Sequence, residues 1–386
     1  MLAQTFQTSD SIDGRGGNDT FNLTVTADAD LPAGVDVSSV EVVNLVSDGT
    51  GQVTNLDATS FAGAEQVWQV NDANDIAGVA EGQAAGFRDT AATATVTFTG
   101  ESGVVALDNV DDGSALDVAG TSLTSVSISG SVDDDGATPA GPGSLTVTDS
   151  STSGTGGAVG VTEVTGEFSS DVLLDISDFT AATSVDLSAS TGAIGNAGTS
   201  TNVSLLTDLE TFVSGSGNDN ITAAISDEAD TSFDLGEGND TFTLNGTGDT
   251  NNTATSVTLG EGNDTFVVDT ALTNVADVTD FAAGMITVED FNASEDVIDV
   301  SALGGRDVLT NTEQANITAA ADLEAALDLA STATTQGEYS VFDFGGDAYI
   351  FNEVAVGDTG FENGDGLIKL TGMSVADIDA GVNFLA

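Results

Sequence analysis

The sequence predicts an all-β chain, a parallel β-solenoid ended by one short C-terminal helix. Three observations lead there. Short runs alternate apolar residues with Thr, Ser or Asp, as strands buried on one face do: ATVTFTG (94–100), SVSISG (125–130), SLTVTD (144–149), DTFTL (240–244) and DTFVVD (264–269). Clusters of Gly, Asn and Asp separate the runs, as turns do. The heptapeptide GEGNDTF occurs twice, 24 residues apart, and a relative, GSGNDNI, lies 21 residues upstream. Short strands that recur at this interval without intervening helices wind into coils rather than a sandwich.

Composition allows a folded chain and narrows its partners. Of 386 residues 63 are acidic and four basic (Arg15, Arg88, Arg306, Lys369), for a formal charge of −59. Such self-repulsion opposes compaction. Against it, 40% of residues are hydrophobic and 18 are Phe, enough for a long core. The charge must therefore be met by something bound. Nucleic acid is excluded, because phosphates need Lys and Arg, and an anionic membrane surface is disfavoured for the same reason. Cations remain, of the hard kind that prefers the oxygen ligands this chain supplies. With no Cys and no His, zinc, copper, haem and iron–sulfur sites lose their usual ligands. A Ser–His–Asp triad or Cys–His pair cannot be assembled from this chain. The N-terminal MLAQTFQTSD has neither the basic nor the apolar region of a Sec-type signal peptide. No run of about 18 apolar residues predicts a membrane-spanning helix.

Along the chain, a second recurrence reinforces the coil reading. Residues 37–67 are echoed by VLLDISDFTAATSVDLSAS (172–190) and SLLTDLETFVSG (204–215), sharing the phrase apolar-x-Asp-x-Ser/Thr-x-Phe before another strand. Asp57, Ser60 and Phe61 match Asp175, Asp178 and Phe179 loosely, as decayed repeats do. Trp68, in EQVWQV, reads as strand core. DDDGATPAGPG (133–143) holds two of the three Pro and reads as a module junction or a surface excursion. TAAADLEAALDLAS (318–331) puts Leu323, Leu327 and Ala330 on one face, with Thr318 as a candidate N-cap: the one helix, closing the solenoid.

The repeated turns carry the chemistry. In LGEGNDTFT (235–243), Gly236 and Gly238 permit positive φ and expose backbone carbonyls, while Asp240 adds a carboxylate just past the turn. A hard dication takes about six to eight oxygens at roughly 2.3–2.6 Å, more than one such turn offers. A second turn stacked above supplies the remainder, so calcium is expected between coils. The candidate ligand turns hold Gly215, Gly217, Asn218 and Asp219, then Gly236, Gly238, Asn239 and Asp240, then Gly260, Gly262, Asn263 and Asp264. A fourth, GRGGNDTFN (14–22), contributes Gly17 and Asp19 but has Arg15 where the second Gly belongs.

These turns resemble the glycine- and aspartate-rich nonapeptide G-G-x-G-x-D-x-U-x of RTX proteins, which implies a calcium-bound parallel β-roll. The resemblance sets Asp219, Asp240 and Asp264 at its sixth position and Ile221, Phe242 and Phe266 at its inward apolar one. Ser214, Leu235 and Leu259 replace its first Gly. Coils of 21 and 24 residues are longer than the family's, and only one edge carries the motif, which implies a single calcium column. The opposite edge holds the variable loops 226–230 and 245–255. VEDFNASEDVIDVSAL (288–303) resembles the phrase that follows such repeats, and residues 339–386 resemble the C-terminal region of proteins exported by type I secretion. Residues 11–45 are similar to modules of bacterial surface-layer and adhesive proteins.

Four modules are expected: an N-terminal β-solenoid over 1–135, a second β-repeat module over 136–213, a calcium-binding RTX-like β-roll over 214–300, and a capping region with the secretion signal over 301–386. The expected function is that of a secreted, calcium-dependent, self-assembling structural protein, a surface-layer or matrix-filament subunit. Open coil ends would favour head-to-tail addition. The alternative is a calcium-dependent adhesin or carbohydrate-binding protein whose partner is a cell-surface polysaccharide. An enzyme is not expected, because RTX proteases and lipases need His. Asp343, Asp347 and Asp365 are further candidate calcium ligands in C-terminal Gly/Asp turns, and Lys369 reads as a surface strand residue.

Overall fold

The computed structural model describes residues 10–28, 30–31, 35–51, 53–54, 56–61, 63–134, 136, 141–151, 160–195, 199–226, 228–245, 253–270, 272–275, 278, 281–354, 360–380 and 384–385. The N-terminal 1–9, residues 135 and 137–140 of the loop 133–143 and the middle of the loop 245–255 lie outside the described residues. The chain divides into two compact units, Met1–Asn196 and Ala197–Ala386. The finer boundaries at 135, 213 and 300 stay a proposal.

In the first unit Ser11–Asp13 pairs in parallel with Asp36–Ser38, and from Val42 the chain alternates between two longer parallel sheets, one strand in each per coil. One sheet runs, in spatial order, through Thr20–Val25, Val42–Ser47, Gln66–Val70, Ala84–Arg88, Ser102–Val110, Ser125–Val132, Glu163–Phe168 and Ser184–Asp186. The other runs through Leu56–Asp57, Ile76–Val79, Thr93–Phe98, Ser114–Gly120, Gly143–Asp149 and Val172–Asp175. In-register pairing, shifted among the described residues only after Leu107 and, in the other sheet, after Ile76, stacks like on like: Val43, Val67, Ala85, Val105 and Ile128 form one buried row across five strands. A one-residue shift would turn each of these into solvent, so burial fixes the register. Trp68 is strand-borne and buried, as expected. Its ring lies over Gly86, where an added Cβ would sit 2.3 Å from Trp68 Cδ2, and the Arg88 guanidinium covers it at 4.5 Å. Arg88 is itself held by Asp108 at 2.5 Å.

The second unit repeats the plan. Thr211–Val213, Thr231–Asp234, Thr255–Thr258, Ile286–Val288 and Gly366–Leu370 pair in parallel, and Asn220–Ala224, Thr241–Asn245, Thr265–Val268 and Val297–Asp299 form the facing sheet. Ile221, Phe242, Phe266 and Ile298 stack in register, the two Phe rings 6.0 Å apart and nearly parallel. Phe233 reaches across from the other sheet to within 4.8 Å of Phe242. The inward apolar positions of the repeat thus build the core.

One corner recurs in both units. An Asp or Asn side chain accepts the N–H of the Ser or Thr two residues on at Asp57–Thr59, Asp175–Ser177, Asp186–Ser188, Asn202–Ser204 and Asp299–Ser301. The residue between them (Ala58, Ile176, Leu187, Val203 or Val300) is buried. This Asx turn directs one apolar side chain inward while the backbone changes direction. The echoed phrase of 37–67 and 172–190 is this corner.

The C-terminal end differs from the simple coil. After Ile286–Val288 the sheet continues into Gly366–Leu370, then turns antiparallel through Asp347–Asn352 and Tyr339–Phe344. Among the described residues three α-helices accompany it where one was expected: Asn311–Thr318, Leu323–Ala333 and Val375–Ala380. Leu327 and Ala330 are buried against Phe342, Tyr349 and Phe351, with Leu323 packed alongside, so the expected apolar face is real. Its N-cap is Asp322, which accepts the Ala325 N–H at 2.9 Å, and Thr318 instead closes the preceding helix. That earlier helix has no apolar stripe, only buried Ile317. A reciprocal capping box between Thr310 and Glu313 specifies it. At this end the sheet edge is not left open. The outermost strand, Tyr339–Phe344, is covered: Gln314 Nε2 donates to Val341 O at 2.7 Å, Thr318 Oγ1 to Asp343 O at 3.2 Å, and residues 305–307 exchange backbone hydrogen bonds with Tyr339.

Candidate metal centre

The three repeated turns of the second unit stack edge to edge, because the strands flanking them pair in register. Their glycines are required by that stacking. Gly236, Gly238, Gly260 and Gly262 have φ of +86°, +140°, +94° and +157°. An added Cβ would lie 2.1 Å from Gly215 O, 2.0 Å from Gly217 O, 1.8 Å from Gly236 O and 1.5 Å from Gly238 O, respectively. Each turn therefore rests its glycines on the carbonyls of the turn before. Gly215 O and Gly236 O also accept the N–H of Glu237 and Glu261, which leaves each carbonyl one lone pair.

Beneath the turns runs a column of carboxylates. Asp219, Asp240, Asp264 and Asp296 are 2%, 1%, 0% and 2% exposed, while Arg88 and Lys369 pair elsewhere, with Asp108 and Asp347. Each Asp after the first accepts the main-chain N–H of its predecessor. Asp240 Oδ1 takes the Asp219 N–H at 2.7 Å, Asp264 Oδ1 that of Asp240 at 2.8 Å, and Asp296 Oδ1 that of Asp264 at 3.1 Å. One residue earlier an exposed ladder joins Asn218, Asn239 and Asn263 through main-chain and side-chain amides. The Asn residues hold adjacent turns together at the surface; the Asp residues do so inside.

The second oxygens of the column differ. Those of Asp240 and Asp264 are buried and have no hydrogen-bond partner among the described residues. Asp219 Oδ2 accepts from Ser214 Oγ and from the Gly215 N–H at 3.3 Å, and Asp296 Oδ2 accepts the Asn292 N–H at 2.7 Å. Burial pushes the carboxyl of Asp240 up to about 8 and that of Asp264 up to about 6, with neighbouring acids adding to each rise; Asp296 is raised for the same first reason. A buried carboxylate with one oxygen unsatisfied costs folding free energy unless it is protonated or meets a cation. The donor set is oxygen alone, backbone carbonyls and carboxylates, which suits a hard dication. No group of three or more acidic side chains converges among the described residues, so an ion here would draw on the glycine carbonyls as well as on Asp240 and Asp264.

The structure thus brings twelve of the candidate residues, Gly215 to Asp264, to one edge of the second unit. Gly17 and Asp19 belong to the first unit, where Asp19 Oδ2 is likewise buried without a partner among the described residues and the Asp19 N–H donates to Glu41 Oε2 at 2.7 Å. Glu41 there stands where the next Asp stands in the column. Arg15, at φ +71°, takes the left-handed conformation the missing Gly would have supplied, and its N–H is held by Asp13. Among the C-terminal candidates, Asp343 accepts the Val375 N–H, Asp347 pairs with Lys369 at 3.0 Å, and buried Asp365 accepts the N–H groups of Val354 and Glu362. Sequence reading missed Asp296, whose turn lacks the Gly-x-Gly signal. Its traces are the phrase at 288–303 and the alternation of the strand that follows it, Val297–Asp299.

Residues 166–363, just over half of the chain, match the family described as Peptidase M10 serralysin C terminal. No curated protein matches the chain.

Proposed function

Because the chain belongs to the Peptidase M10 serralysin C-terminal family, the RTX-type calcium-binding β-roll of type I secreted proteins, we propose that it is an extracellular structural protein that calcium folds and then assembles. The match falls on the non-catalytic part of that peptidase family, and a chain without His offers no imidazole to a peptidase metal. The observation that carries the reading is the pair of buried, unpartnered carboxylate oxygens at Asp240 and Asp264. In calcium-poor cytosol these charges, with 59 uncompensated negatives overall, favour the extended chain that an exporter threads. Outside, Gly236, Gly238, Gly260, Gly262, Asp240 and Asp264 would hold the ion, with Gly215, Gly217, Asn218, Asp219, Asn239 and Asn263 framing the turns. Calcium neutralises the two carboxylates when bound. The chain's own part is to supply glycine carbonyls and aspartates at an interval that brings them into register around the ion as the coils stack.

Self-assembly is the finer part of the proposal. With the strand Tyr339–Phe344 covered, copies would meet through the remaining coil edges and along acidic side faces, bridged by further calcium. Such bridges make association ion-specific and reversible by chelation. Sedimentation velocity and negative-stain microscopy of the full chain, in chelator and in millimolar calcium, test this. Sheets or fibres that form with calcium and disperse with chelator are expected. Monomers at saturating calcium would overturn it, and calcium-dependent retention of those monomers on cell-surface polysaccharide would favour the adhesin. Against that second reading, Trp68 is sealed beneath Arg88 and offers no stacking platform for a sugar.

A further inference from the structure

We infer that Ser214 takes the place of a metal ion at the first turn, so that the calcium column of the second unit begins at Asp240 and not at Asp219. This rests on the calcium reading above and deepens it. The three turns are equivalent in register, since Val213 pairs with Asp234 and Asp234 with Thr258, which aligns Ser214, Leu235 and Leu259. All three are buried, but only Ser214 carries a donor there. Its hydroxyl donates to Asp219 Oδ2, the oxygen corresponding to the unpartnered Oδ2 of Asp240 and Asp264.

The backbone makes the same distinction. In the first turn the Gly215 N–H points to Asp219 Oδ2 at 3.3 Å. In the second the corresponding Gly236 N–H is drawn to Asp234 Oδ1 at 3.1 Å, and in the third the Gly260 N–H goes to Asp290 Oδ2 at 2.9 Å. Asp234 and Asp290 thus divert the donors that would otherwise satisfy Asp240 and Asp264. At the far end Asp296 is closed by the Asn292 N–H. Two carboxylates are left open to a cation, and the two that flank them are filled by the protein. A neutral hydroxyl at the first position lets that turn form before any ion binds, giving the later turns a template on which to stack.

The test counts calcium ions per full-length chain by equilibrium dialysis and calorimetric titration, with circular dichroism at saturating calcium as the fold control. Asp219→Asn is expected to keep the wild-type number, Asp240→Asn and Asp264→Asn each to lower it, and Ser214→Leu, the residue of the two other turns, to raise it by one. An ion lost in Asp219→Asn, or no gain in Ser214→Leu, would overturn the inference. Wild-type protein that binds no calcium would instead defeat the reading beneath it. Should a variant not fold, anomalous scattering from wild-type crystals soaked in terbium decides the matter. Peaks beside Asp240 and Asp264 alone support the inference, and a peak beside Asp219 refutes it.

Discussion

At the scale of single residues, Asp240 and Asp264 make metal-free stability depend on pH in an uncommon direction. An ordinary native carboxylate is ionised and hydrogen-bonded, so acid weakens the fold. Here burial raises Asp240 from 3.8 to about 8 and Asp264 from 3.8 to about 6. Between the unfolded and folded values the native state binds more protons than the unfolded chain, so stability falls as pH rises. The contribution is complete below about pH 4 and is lost by about pH 6 for Asp264 and pH 8 for Asp240. In chelator the melting temperature should therefore drop between pH 5 and 8.5. Calcium should remove the slope, because the ion displaces the protons and binds more tightly as pH rises. Thermal melts across that range check this, and a flat or rising curve in chelator contradicts it. In Asp240→Asn the amide oxygen still accepts the Asp219 N–H, so most of the slope should vanish.

At the scale of elements, the coils and the C-terminal cap draw on different forces. Phe242 is fully buried, with Phe233 at 4.8 Å and Phe266 at 6.0 Å, and Phe242→Ala should cost about 3–5 kcal/mol, read by urea unfolding in calcium. Asp322→Ala removes only the N-cap of Leu323–Ala333 and should cost about 1 kcal/mol. Comparable losses would mean that the helical cap, not the aromatic ladder, dominates stability. The difference also explains what was legible in the sequence. The ladder repeats at a fixed interval, so five alternating runs identified strands now seen at Thr93–Phe98, Ser125–Val132, Gly143–Asp149, Thr241–Asn245 and Thr265–Val268. The glycine turns were legible because stacking forbids a Cβ there. Asn311–Thr318 was not, because a cap rather than a stripe specifies it, nor was Asp296, whose turn reaches the column without glycines. Ser214 was visible as a departure from the repeat, but its role depends on which oxygen its hydroxyl meets, and that is a fact of three dimensions.

At the scale of the whole molecule, two effects of calcium have to be separated: general screening of a −59 chain and occupation of particular oxygens. Screening depends on ionic strength, and at 1 M monovalent salt the Debye length shrinks to about 3 Å, so sodium chloride alone should relieve most long-range repulsion. It cannot satisfy Asp240 Oδ2 or Asp264 Oδ2, which lie inside the column away from bulk ions. An extracellular-type site with a dissociation constant of roughly 10⁻⁴–10⁻³ M adds about 1.4 kcal/mol at tenfold excess of ion. A few such sites weigh heavily against a total of about 5–15 kcal/mol for a typical domain. At about pH 8.5, where both buried carboxyls have lost their protons and the metal-free fold is weakest, millimolar calcium, which hardly changes ionic strength, should therefore fold the chain where molar sodium chloride only compacts it. Small-angle scattering reports compaction and near-ultraviolet circular dichroism reports fixed packing around Trp68, Tyr339 and Tyr349. In 1 M sodium chloride with chelator, the radius should fall while the near-ultraviolet signal stays weak; in calcium both should reach native values. Were sodium chloride to restore both, the carboxylate column would be an ordinary acidic surface responding to screening, and coordination would lose its place in the folding of this chain.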